Sequence, residues 1–159
     1  MTQPLQPSEV TVSRHDMTLL DQFENTTLSN EAFGHREHVQ VAWTYLQLYD
    51  LAEATRRFIA ALKGFANFHG ATGLYHETIT WAFLLVINER IGRMAGPHDW
   101  REFAEENADL LDSGGAFLDR YYQPGTLKSD LARKVFLLPD RCPGGSGWAA
   151  GASGAGGAR

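Results

Sequence analysis

The chain is short of several things that would assign it a partner at once. It has one cysteine, Cys142. A single thiol forms no intramolecular disulfide, so the expected setting is reducing and cytoplasmic. It also rules out a cysteine-rich zinc site and leaves imidazole and carboxylate as ligands. Between Arg141 and Pro143, Cys142 reads as a bystander thiol. Cations are scarce too: 14 Lys and Arg stand against 19 Asp and Glu, for a net charge of −5. The Lys and Arg residues are scattered, and a phosphate-binding face needs the opposite balance, so no nucleic-acid partner is expected. No long apolar run occurs. The most apolar stretch, residues 81–87, covers about two helical turns, far short of a bilayer, so no membrane is expected. Residues 1–7 lack the charged and apolar parts of a secretory leader.

What is present suits one domain. The 159 residues are 43% hydrophobic and 11% aromatic, enough for a core and far from the composition of disordered chains. Residues 1–14, polar and containing proline, read as a loose arm, and residues 15–138 as a single helical domain. Residues 139–159 are dominated by Gly, Ala and Ser and are expected to be disordered.

Helical periodicity runs through the middle of the chain. A short helix is expected over residues 17–26, with Leu19, Leu20 and Phe23 on one face. The first long helix opens near His35 and carries the stripe Val39, Ala42, Tyr45, Leu46 and Tyr49. Asp50 to Glu53 resembles a capping box opening a second helix that runs to about Phe68 and ends at Gly70. The third opens near Tyr75, with Thr80, Phe83, Leu84, Ile87 and Ile91 inward, and Gly96-Pro97 stops it. Asp99 caps a fourth over residues 100–111, and Ser129 caps a last turn or two. Long helices joined by short loops predict an all-α antiparallel bundle of four main helices with short accessory helices.

Three histidines stand out. His35 and His38 share a helix face at a spacing of three, and His38 begins the inner stripe. His76 begins the inner stripe of the third helix. In an up-down bundle both openings fall at one end, where His69, Asn107, Asp109 and Asp112 also arrive. Helix N-termini carry partial positive charge, which favours neutral, metal-binding imidazole. His35, His38 and His76 are therefore candidate ligands for one divalent transition metal: zinc, iron, copper or nickel. Glu37 and Glu77, each beside a ligand, are candidate catalytic groups acting as general bases or as orienting partners.

The segments His35-Arg36-Glu37-His38-Val39, Tyr75-His76-Glu77-Thr78-Ile79-Thr80, Asn107-Ala108-Asp109-Leu110-Leu111 and Arg120-Tyr121-Tyr122 resemble a family of small uncharacterised bacterial helical proteins. The resemblance covers roughly residues 30–140. It implies a compact domain and carries no activity with it. The layout is also similar to DinB-like bundles, which hold a divalent metal with three histidines, one followed later by an HxxxH pair. This chain has HxxH first and the single histidine later, so the likeness is architectural.

These features predict a metal-dependent enzyme acting on a small molecule, by hydrolytic, lyase or oxidative chemistry. Two alternatives stand beside it. One is a metal-free enzyme with His76 as general base, assisted by Glu77 or His38. The other is a non-enzymatic protein that binds a ligand or partner in an apolar groove. Homodimerisation through an exposed helix face fits the pattern, though no residue fixes it.

Overall fold

A computed structural model describes residues 11–112 and 115–141. Residues 1–10 of the expected arm and 142–159 of the expected tail, Cys142 among them, lie outside the described residues. The architecture is the expected all-α antiparallel bundle, with no strand among the described residues. Its helices are α1 (Arg14–Glu24), α2 (His35–Leu48), α3 (Leu51–Phe68), α4 (Glu77–Arg93), α5 (Trp100–Glu106) and α6 (Asp130–Lys134). Single 3-10 turns occupy Thr72–Leu74, Ala108–Leu111 and Ala116–Arg120.

Caps set the boundaries. Ser13 and Asp16 form a reciprocal capping box, so α1 starts three residues before the expected position. Asp50 accepts from the Glu53 N–H and opens α3. The expected box there is half formed, because the Glu53 carboxylate turns outward to Arg56 and Arg57. Asp99 and Glu102 make the full box at α5, and Ser129 caps α6. At the end of α3 the chain reverses through Gly70, whose φ of +71° suits a residue without a Cβ. The Gly70 and Ala71 N–H groups close back on the Asn67 and Ala66 carbonyls, a Schellman turn. The expected fourth helix is shorter than its apolar pattern. Asn107 donates to the Phe103 carbonyl at 2.9 Å, its backbone leaves helical geometry, and the chain tightens into the 3-10 turn.

The central element is α2, which packs on α1, α3, α4 and the 108–111 turn. Val39, Val41, Ala42, Trp43, Thr44 and Tyr45 are all buried, more of the circumference than one stripe. Trp43 packs at a tilt on Trp100 and Phe103 on one side, while Phe23, Phe33, Phe58 and Phe65 form an aromatic cluster on another. Two polar contacts tie α1 to α2. Gln40 donates to Asp16 at 2.7 Å, and the Tyr45 hydroxyl donates to Glu24 at 2.6 Å. Burial and the adjacent Glu24 carboxylate push the Tyr45 phenol well above its ordinary pKa.

The packed region continues past residue 138. Asp140 accepts from the Gln123 N–H at 2.7 Å and from the Thr126 hydroxyl, and the Arg141 N–H donates to the Tyr121 carbonyl at 2.8 Å. At the other end, the Thr11 hydroxyl reaches the His98 carbonyl. No helix among the described residues is long and apolar enough to cross a membrane.

Candidate functional site

The openings of α2 and α4 bear the five residues singled out from the sequence. At α2 the N-cap is Gly34, which has no side chain to offer. Glu37, at N3, supplies the cap from the other direction by accepting from the Gly34 N–H at 3.0 Å. His38 lies one turn in. Its Nδ1 is 2.7 Å from the Gly34 carbonyl. A carbonyl only accepts, so Nδ1 carries the proton and Nε2 keeps a lone pair. His35 makes the same kind of bond with its other nitrogen, Nε2 to the Leu110 carbonyl at 2.8 Å, which leaves Nδ1 as the lone-pair position. The His38 ring lies 3.9 Å from the Phe33 ring, and the His35 ring meets Phe83 edge-on at 5.2 Å. Burial is the main cause holding the His38 pKa below 6.5. The neighbouring His35 adds to it, while the Gly34 carbonyl and Glu37 oppose.

At α4 the histidine is the cap itself. His76 sits outside the helix with extended backbone, and its Nδ1 accepts from the Ile79 N–H at 3.2 Å. Its Nε2 therefore carries the proton and donates to the Leu127 carbonyl at 2.8 Å. Both ring nitrogens are occupied by backbone. Glu77 is occupied as well: Oε2 accepts from the Tyr75 hydroxyl at 2.7 Å and Oε1 from the Trp81 indole at 2.9 Å. Burial and that carboxylate raise the Tyr75 phenol pKa. Thr78 and Thr80 complete the corner. Thr80 donates to the His76 carbonyl, and the buried Thr78 hydroxyl lies within 2.8 Å of the Ala132 and Val135 carbonyls while accepting from the Leu137 N–H.

The structure thus joins His35 and His38 at one site and does not add His76 to them. Among the described residues, no three His, Cys, Asp or Glu side chains are grouped to hold a metal ion. Of the carboxylates expected at this end, Asp109 is engaged by Arg90, through two bonds, and by Arg120. Asn107 accepts from Arg90 as well. His69 caps the end of α3 and packs its ring on Phe65 and Phe68.

What His35 and His38 share is a cavity of about 300 Å³ between α2, α3 and α4. Its walls are apolar: Val39 and Ala42 from α2, Phe58 and Leu62 from α3, and Phe83, Leu84 and Ile87 from α4 all contribute. Among the described residues, the two imidazoles and Thr80 are its polar side chains, and no Asp, Glu, Lys or Arg lines it. The helical periodicity of the sequence puts most of these residues on inner stripes, the pattern of a filled core. Phe33 and Gly34, just before α2, also line the cavity and were not anticipated. A signal was present, since Phe33 precedes the flexible Gly34 and stands on the same opening as the two histidines.

No family model matches this sequence, no curated protein matches it, and no solved structure matches its fold.

Proposed function

We propose that the protein binds a small, largely apolar molecule in the α2–α3–α4 cavity, with His38 accepting a hydrogen bond or a proton from it. One observation supports this reading above all others. An apolar chamber in the size range of ligand pockets has an imidazole in its wall with one nitrogen left over. Burial favours the neutral form of that imidazole, the form that serves as acceptor or general base. A proton taken at Nε2 leaves the Nδ1–H bond to the Gly34 carbonyl intact, so the imidazolium would form without losing its anchor. In a metal-free enzyme the base is then His38, since both nitrogens of His76 are already bonded.

The test is ligand-induced stabilisation across a set of small alcohols, acids and aromatics, in the wild type and in Ala42→Leu and Ala42→Phe. Filling the chamber should abolish saturable shifts in Tm that the wild type displays. Shifts of equal size in folded filled variants would place the ligand elsewhere, and no shift with any compound would remove the reading.

A second reading retains the metal ion. His35 and His38 each give one N–H to a backbone carbonyl, the arrangement that commonly orients metal-bound imidazoles. Water or the bound molecule would supply the rest of the shell. Elemental analysis of the purified protein beside His35→Ala, His38→Ala and His76→Ala distinguishes the possibilities. Metal lost in the first two variants and kept in folded His76→Ala fits the two-imidazole site. Loss in all three fits the three-histidine site expected from the sequence. No metal, and none taken up from zinc, iron, copper or nickel, eliminates both.

A further inference from the structure

The apolar chamber has a charged neighbour. Three of its wall residues, His35, Ile79 and Phe83, also wall a second, more open cavity of about 640 Å³. Phe83 meets His35 edge-on at 5.2 Å and Phe117 edge-on at 4.6 Å, so the side chain common to both spaces is itself packed in place. Beyond it the lining changes character. Lys128, Arg141 and Asp119 line the second cavity, and the Asp140 carboxylate is close enough to Arg141 to interact with its charge. Arg141 is fixed by backbone, its N–H on the Tyr121 carbonyl and its Nη1 on the Asp119 carbonyl at 2.7 Å. Among the described residues, the Asp119 carbonyl takes one of its five guanidinium N–H groups. No ion pair engages Lys128 among the described residues.

From this juxtaposition we infer that the ligand is an amphipathic organic acid. Its apolar chain occupies the first chamber, and its carboxylate reaches beyond the shared His35 and Phe83 to meet Lys128 and Arg141. The inference rests on the binding reading above and adds the ligand's class. A neutral molecule of the same shape gains nothing from the Lys128 ammonium, and an amine would be repelled by it. A carboxylate suits that ammonium, and the planar guanidinium of Arg141 matches it geometrically.

Octanoate and octanamide, equal in chain length and different in charge, are the probes, with binding followed by calorimetry. Octanoate should bind at least about five-fold tighter than octanamide, the order expected for a charge-assisted contact at a partly exposed site. The margin should shrink at high salt. In Lys128→Gln/Arg141→Gln, octanoate should fall to the level of octanamide, whose own affinity stays unchanged. Lys128→Gln alone, at an exposed side chain, should give part of the same loss and guards against misfolding of the double variant. Equal binding of the two probes, both blocked by Ala42→Phe, would overturn the acid assignment while the chamber reading stands. An octanoate preference that survives the glutamine variants would overturn it too. If neither probe binds, both the chamber reading and the acid assignment fall.

Discussion

Two helices of this protein open on nearly the same letters, and the structure uses them in opposite ways. His76-Glu77 at α4 is a closed corner. The imidazole caps the helix with one nitrogen and ties residues 121–129 down with the other, and each carboxylate oxygen has a donor. His35-Arg36-Glu37-His38 at α2 is an open one. There Glu37 does the capping, and each histidine gives a backbone carbonyl one nitrogen and holds the other back. The difference lies in where the ring falls relative to the first helical turn. The imidazole at the N-cap meets an orphan backbone N–H, whereas those of His35 and His38 meet only carbonyls among their backbone partners.

Substitutions can separate the corners. The largest effect belongs to His76→Ala, which removes the α4 cap and leaves the Leu127 carbonyl without its donor. The expected cost is about 2–4 kcal/mol, summing a lost cap and a stranded buried acceptor. It should appear as a lower denaturation midpoint with little change in slope. His38→Ala should cost clearly less and act instead on ligand affinity. If the two variants lost equal stability, the contrast between the corners would fail.

Thr78→Val comes next, at about 1–3 kcal/mol, because it strands the Leu137 N–H beside the Ala132 and Val135 carbonyls. Limited proteolysis should show cleavage moving into residues 130–141, and an unchanged digest would deny that Thr78 fastens this segment. The smallest effect is the acid response of the open corner. Burial depresses the His38 pKa, so below about 6.5 the unfolded chain takes up that proton more readily than the folded one. His38 therefore destabilises the fold progressively as pH falls from its unfolded pKa toward its lower folded value. His38→Gln should remove that part of the slope. An imidazole midpoint at or above 6.5 by NMR would contradict the argument.

The sequence was a good guide wherever physics is local. The Asp99 and Ser129 caps, the reversal at Gly70 and the inner stripes of α2 and α4 all follow from spacings within one or two turns. Histidines at two helix openings were equally legible. Their roles were not, because each is decided by a carbonyl far along the chain, Leu110 for His35 and Leu127 for His76. Spacing cannot distinguish a ring nitrogen that will meet such a carbonyl from one that will meet a ligand. The cavity was hidden for a related reason. Ala42, Leu84 and Ile87 carry the same pattern whether the space between them is filled or left open. Lys128 and Arg141 gave no signal at all, since spacing does not tell which cavity a side chain will line.

The bonds that decide those roles also say something about the order of assembly. Helical bundles usually fold fast because their contacts are local. Yet the His35–Leu110 and His76–Leu127 bonds span 75 and 51 residues, and Thr11 reaches His98 across 87. Each closes a long loop whose entropy is lost before the bond returns anything. Caps and helix pairs can form early, while both histidine corners wait for the last third of the chain to dock. Disturbing a corner should therefore hasten the escape from the native state more than it slows arrival there. Through these bonds, the lifetime of the folded molecule becomes a property of its histidines.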